Sequence, residues 1–247
     1  MTRYLEVISG KGGVGKTTVA LNLAAALDKL GADALLCDAD VLKANVSLHL
    51  GAHKFKVTLH EVLWDHKHMK DALYYHPSGL RFVPAGISSF HVKQSTPDML
   101  SKIPSKLAGL ADVIILDGPL GDRAYLEQFF SILDEAVMVT TPDLPSLTDC
   151  LRIIDDLEKH KVKILGVVVN RMFFTKFETK KENIESMLQL PVIGEIPENV
   201  TIKESLKNER PAVTHDPECV VSKGFKKLAS KIMGQEYISL SDETHHA

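Results

Sequence analysis

Cysteine is scarce in this 247-residue chain: Cys37, Cys150 and Cys219 lie far apart, and no two form a C-x-x-C pair. That argues against a disulfide framework and gives one chain no thiolate set for zinc or an iron–sulfur cluster. No apolar run approaches the ~20 residues that a membrane-spanning helix needs. A surplus of one charge is lacking too. The formal net charge is −3, so no global basic field points to nucleic acid. There is no linker rich in Gly, Ser or Pro, no internal repeat and no low-complexity tract, hence no evident seam between domains. The opening stretch MTRYLEVISG runs straight into an expected strand, so no signal peptide and a cytoplasmic location are expected.

What is present is an ordinary globular mix, 45% hydrophobic and 25% charged, in a chain long enough to bury a substantial core. Short runs rich in Val, Ile and Leu read as buried strands: YLEVIS, ALLCDA, LRFVPA, DVIILD, EAVMVTT, ILGVVVN and PVIGEIP. Helix-length stretches separate them. That alternation predicts an α/β fold, a mainly parallel twisted sheet with helices on both faces. GKTTVALNLAAALDKLG reads as a helix ended by Gly31, and SLTDCLRIIDDLEKHK as another that opens at Ser146. One domain is expected over residues 1–234, with a polar, disordered tail at 235–247.

Gly10 to Thr17 satisfies G-x-x-x-x-G-K-[ST], with a strand before it and a helix after it. Such a loop aims backbone N–H groups and a helix N-terminus at phosphate oxygens. Gly12, Gly13 and Gly15, with Val14 between them, let the backbone wrap closely around an anion. Lys16 would reach the β- and γ-phosphates of a nucleotide, Thr17 would place its hydroxyl on Mg²⁺, and Thr18 would help hold the α-phosphate. Asp117 ends the strand ADVIILD, where a carboxylate associated with Mg²⁺ is expected. Lys11 is surplus to this machinery. It is either a solvated surface lysine or a cation that crosses to the γ-phosphate held by a second subunit, in the manner of an arginine finger.

KGGVGKTT resembles the deviant phosphate loop of the MinD/ParA family of dimerising ATPases, whose signature lysine acts across the dimer. CDADVLKANVSLHLG is similar to that family's first switch and DVIILDGPLG to its second; GVVVNR and VIGEIPEN are similar to its adenine-side segments. The resemblance covers about residues 3–234 and is strongest to the MinD branch. It implies a three-layer P-loop NTPase fold and a trans role for Lys11. It assigns Asp40 to the attacking water, Asp38 to the Mg²⁺ shell, and Asn45, Pro119 and Gly121 to the switches and the partner subunit. Asn170 and Arg171 would meet the adenine from one side, Pro197 and Glu198 the base and ribose from the other. On the residues alone, Asp38 and Asp40 are strand-end carboxylates at i, i+2 spacing, which a turn could equally use.

The chain departs from the MinD pattern in both switches. Where the second switch usually reads D-[SA]-P-A-G followed by an apolar residue, this chain has Asp117-Gly118-Pro119-Leu120-Gly121-Asp122, altered by the larger Leu120 and the charged Asp122, and Leu42 stands where the first switch commonly has a small residue. The stretch VSKGFKKLASKIMG carries Val221, Phe225, Leu228 and Ile232 as one apolar stripe with lysines around it. It either lies on an anionic bilayer or docks on its own domain. Lys203, Lys207 and Arg210 offer a weak basic patch for DNA, while His66, His68 and His76 lack the spacing of a zinc site. The expectation is an ATPase switch in which ATP with Mg²⁺ drives homodimerisation and slow hydrolysis reverses it. Its role would be placement of the division site, as in MinD, with an activating or cargo protein as partner and at most weak membrane association. A DNA-partitioning ATPase of ParA type, a metallocentre-maturation ATPase and a small-molecule synthase remain as alternatives.

Overall fold

The computed structural model describes residues 2–52, 54–235 and 237. Eight strands form one sheet: β1 Arg3–Ile8, β2 Ala34–Asp38, β3 Tyr74–Tyr75, β4 Arg81–Val83, β5 Val113–Asp117, β6 Glu135–Thr140, β7 Lys163–Met172 and β8 Val192–Pro197. Their order across the sheet is β3-β4-β2-β5-β1-β6-β7-β8. Every pairing is parallel except that of β3 with β4. The expected strands are all here, and β3 is the addition. At two residues, it is too short to show a period in the sequence.

The first helices in chain order are α1 Lys16–Lys29, α2 Val46–His49, α3 Leu59–Leu63, α4 Ser89–Gln94, α5 Ile103–Leu107 and α6 Arg123–Phe130. Then come α7 Leu144–Lys159, α8 Lys181–Leu188, α9 Val200–Lys207, α10 Ala212–His215 and α11 Val220–Ile232. Successive strand residues point to opposite faces, so one sheet feeds two cores. Leu5, Val7, Leu36, Ile115, Val137 and Val168 pack with α1, α10 and α11. Ile8, Leu35, Ile114, Leu116, Met138 and Val167 pack with α3, α5, α6, α7 and α8 on the other side. The result is the expected three-layer α/β arrangement.

Two helix boundaries show how local chemistry sets the ends. Gly31 takes φ 86°, a left-handed conformation that an L side chain resists, and it stops α1 where the sequence indicated. The second helix begins earlier than Ser146, because the Asp143 carboxylate accepts the Ser146 N–H at 3.0 Å and so caps α7 from Leu144. Pro145 then sits in the first turn, where its missing N–H costs nothing.

The apolar stripe of α11 is in the core. Val221 and Phe225 are 0% exposed and Leu228 is 1% exposed, packed with α1 and β8. That stripe is therefore unavailable to a bilayer, and docking on its own domain is the arrangement found. Among the described residues no helix is long and apolar enough to cross a membrane. Most of the tail at 235–247 lies outside the described residues. Phe225→Ala should lower the unfolding free energy by about 3–5 kcal/mol, the cost of emptying an aromatic core position. Urea denaturation of the variant beside the wild type measures this.

Candidate functional site

The strand order puts β2, β5 and β1 side by side, so their carboxyl ends share one edge of the sheet. Register pairs Asp38 with Asp117 across β2 and β5, and Val7 with Asp117 across β1 and β5. The glycine loop leaves β1 at this edge and enters α1 through Gly15, whose φ of 95° only glycine adopts easily. A Cβ at Gly15 would also collide with the amide of Asn170. That amide donates its Nδ2–H to the Val14 carbonyl at 2.7 Å, so Asn170, 6% exposed at the end of β7, braces the loop from behind.

Lys16 is 8% exposed, and its Nζ donates to Asp117 Oδ1 and to the Gly118 carbonyl, both at 2.6 Å. Thr17 Oγ1 donates to the other Asp117 oxygen at 2.7 Å. Burial alone would pull the lysine's pKa down, but the charges of Asp117 and Glu6 outweigh it, and the pKa rises. An ammonium has three donors, and this one has two in use on protein oxygens.

Asp38 is completely buried. Its Oδ2 accepts the N–H groups of Asn45 and Val46, both at 3.0 Å, which anchors the first turn of α2 to the strand end. Its Oδ1 is buried without a hydrogen-bond partner. Burial first, then Asp117, pushes its carboxyl well above the usual range. Asp40, 5% exposed, accepts from Lys43 N–H at 2.9 Å and Leu42 N–H at 3.3 Å. Burial raises its pKa; Lys16 and the Lys43 N–H pull it part of the way back. Asp40 thus shapes the turn after β2 as well as facing the glycine loop. Asn45 donates its own amide to the Lys43 carbonyl at 2.7 Å.

A cavity of about 390 Å³ is lined by Lys11, Gly12, Gly13, Gly15, Lys16, Thr17, Thr18, Asp40, Asn45, Leu120 and Arg171, among others. The structure therefore gathers the loop, the first switch and part of the second into one concavity. A neighbouring cavity of about 620 Å³ shares Lys11, Gly12, Gly13 and Arg171 and adds Val14 and Asp143. Arg171 takes φ 58°, and its Nε lies 4.0 Å from the Glu198 carboxylate, with Pro197 in register against Met172. Asn170, Pro197 and Glu198 line neither cavity.

Lys11 has a half-exposed side chain, with Nζ 4.0 Å from Asp143 Oδ1. So exposed a pair holds the lysine only loosely. The departures in the second switch acquire reasons. Asp122 caps α6, accepting the Ala124 N–H at 3.0 Å, and Leu120 lies against Gly12, where a Cβ would touch its Cδ2 at 3.4 Å. Gly121, at φ 91°, makes the turn between them.

Two residues at this edge escaped the sequence reading. Glu6, in the middle of β1, is 0% exposed, and neither carboxyl oxygen has a hydrogen-bond partner. Burial pushes its pKa far above the usual range although Lys16 opposes this. A Cβ at Gly118 would fall on its Oε1, so a Ser or Ala at 118 has no room beside Glu6. The signal was a carboxylate inside an otherwise apolar strand. His60, buried on α3, is the other.

A glycine loop between the first strand and a helix, flanked by carboxylates at adjacent parallel strand ends, defines a P-loop nucleotide-binding protein. The comparisons sharpen this. The family model for the CobQ/CobB/MinD/ParA nucleotide binding domain matches residues 5–212. The septum site-determining protein MinD of Synechocystis is 32% identical, over 96% of this chain and 90% of its own. The Pyrococcus furiosus cell division ATPase MinD superposes with a TM-score of 0.89 at 34% identity, covering 95% of this chain and 99% of that one. The Pyrococcus horikoshii MinD complexed with Mg-ADP gives 0.88 at 33%, covering 94% and 96%. The chain belongs to the CobQ/CobB/MinD/ParA nucleotide-binding domain family, and its resemblance within that family is to MinD.

Gly118→Ala should destabilise the protein by about 1–3 kcal/mol through overpacking against Glu6 and the Phe129 ring, and Glu6→Ala in the same chain should restore only the part of the loss that Glu6 causes. Denaturation of the single and double variants reads that coupling. With its folded pKa raised, Glu6 supports stability fully below its ordinary value of 4.5, and this share is lost as pH rises toward the folded value. Glu6→Gln should flatten the decline in a pH series of unfolding midpoints.

Proposed function

We propose that this chain is an ATP-hydrolysing dimerisation switch that, like MinD, serves placement of the cell-division site. The observation that carries the reading is Lys11. A cation stands at the rim of the cavity that holds Lys16, Thr17 and Asp40, while Lys16 already serves that cavity from within. Only loosely held by Asp143, it is free to reach a triphosphate on a second copy placed face to face. Lys11 would then supply positive charge at the γ-phosphate, where charge moves as the bond to the leaving oxygen breaks. Such a residue makes the assembly state depend on which nucleotide is bound.

The donor set fits Mg²⁺. Asp38 Oδ1 is a buried carboxylate oxygen without a protein partner, beside Asp117 and the Thr17 hydroxyl, all hard oxygen ligands. Among the described residues no three His, Cys, Asp or Glu side chains form a metal cage, so phosphate and water oxygens would have to complete the shell of the ion. When bound, Mg²⁺ would neutralise charge on the phosphate oxygens. Asp40 orients the attacking water and takes up its proton, and burial, by raising its pKa above the ordinary carboxylate value, makes it a stronger base. The products are ADP and phosphate. Turnover is slow, because Asp40 is the one carboxylate among the described residues lining the cavity, and His49, which also lines it, has its Nδ1 engaged with the Asn45 carbonyl at 2.9 Å. An activating protein partner would be needed to speed it. Arg171, which lines both cavities, would stack on the adenine.

A metallocentre-maturation role is less well supported. Cys37 and Cys150 are buried in the core and cannot pair across subunits, and Cys219 caps α11.

Lys11→Ala should leave ATP affinity within about threefold of wild type while abolishing ATP-dependent dimers, read by light scattering on a sizing column. Dimers that persist would overturn the trans role. Asp40→Asn should bind ATP and dimerise but lose at least about 100-fold in phosphate release, the usual yield of a positioned general base.

A further inference from the structure

His60 is 0% exposed on α3, 20 residues beyond Asp40 in the chain, yet it touches the turn that carries that aspartate. Its Nδ1 accepts the Gly86 N–H at 2.9 Å, so the ring proton must sit on Nε2. Nε2 lies 3.1 Å from the Val41 carbonyl and 3.1 Å from Ser95 Oγ. Ser95 donates its own hydroxyl proton to the His91 carbonyl at 2.9 Å, so its oxygen can only accept from His60. Both ring nitrogens are satisfied, and their roles are assigned by the neighbours.

Val41 directly follows Asp40, and the next two N–H groups, of Leu42 and Lys43, are the ones that Asp40 Oδ1 accepts. The turn is therefore held at two levels: Asp40 grips it from inside, and His60 grips its Val41 carbonyl from the layer below. We propose that His60 is a positioning residue for hydrolysis, fixing the Asp40 carboxylate through the Val41 carbonyl. The proposal rests on the hydrolytic role assigned to Asp40.

The arrangement is durable across the working pH range. Burial, with His91 in support, lowers the His60 pKa to about 4, so the ring stays neutral and keeps one donor and one acceptor. His91, its ring tilted 33° to that of His60 with centroids 4.9 Å apart, is itself tied to Glu61 at 2.8 Å and to Ser88 at 2.8 Å. The histidine is thus seated on a network rather than on loose side chains.

Two amide substitutions separate positioning from packing. The polar atoms of Asn sit near the place of Nδ1 and those of Gln near that of Nε2. His60→Asn keeps the partner of Gly86 and loses the donor to Val41; His60→Gln does the reverse. His60→Asn loses the Nε2 proton that Val41 and Ser95 share and His60→Gln loses the acceptor for Gly86, so both should fall in thermal stability. His60→Asn should lose about 10- to 100-fold in kcat for ATP with KM within about twofold, the range expected when a reacting group is displaced by about an ångström. His60→Gln should stay within about threefold of wild type in both. Amide hydrogen exchange at Leu42 and Lys43 should accelerate in His60→Asn and remain slow in His60→Gln. Equal losses of kcat in the two variants, or unchanged exchange at Leu42 and Lys43 in His60→Asn, would overturn the proposal. A wild-type protein without ATPase activity would refute the functional reading of Asp40, while the exchange experiment would still decide whether His60 holds the turn.

Discussion

One ammonium group ties the glycine loop to the end of β5 and sets the charge balance of the strands beside it. Lys16 Nζ, nearly excluded from solvent, is gripped by Asp117 and the Gly118 carbonyl at the end of β5. Asp38 at the end of β2 and Glu6 within β1 stand close enough to feel the same charge. One cation faces four carboxyl groups here, counting Asp40, and burial makes ionising all of them expensive. The two most enclosed, Glu6 and Asp38, are accordingly pushed toward their protonated forms. A site so rich in carboxyls can accept a triphosphate only with added positive charge. The buried, unpartnered Asp38 oxygen beside the Thr17 hydroxyl is suited to holding a divalent cation that brings it.

The switches inherit their geometry from these same carboxylates. Asp38 carries the start of α2 on one oxygen, and Asp40 carries the turn between them on one of its own. Whatever draws on those carboxylates also pulls on the backbone they hold, which is how a nucleotide site can be coupled to a surface. The second switch is fitted differently. Glu6 leaves no room for a side chain at position 118, Leu120 rests on the glycine loop, and Asp122 caps the helix that follows. The second switch is thus fitted by three separate contacts: Gly118 to Glu6, Leu120 to the glycine loop, and Asp122 to the start of α6.

Much of this was legible in the amino-acid sequence. The seven main strands, the two-faced sheet, the glycine loop with Lys16 and Thr17, and the carboxylates at strand ends all have short-range signatures: period, glycine spacing and turn chemistry. Those signatures exist because backbone geometry is local, so a residue's neighbours in the chain constrain it directly. The start of α7 was misplaced by two residues because the decisive cap is Asp143, whose role depends on a bond to the Ser146 N–H rather than on apolar spacing. The apolar stripe of α11 was visible, but what it packs against was not.

The chain alone determined the class of site and its nearest residues, since a phosphate loop is written in consecutive positions. Only the tertiary structure decided which distant groups converge on it. Strand order places β5 between β1 and β2, and so brings Asp117 to Lys16 and Asp38. Helix packing carries His60 under Val41, and the parallel pairing of β1 with β5 sets Glu6 against Gly118. Such meetings are set by how layers pack between segments 19 to more than a hundred residues apart, and neither spacing nor periodicity along the chain encodes them.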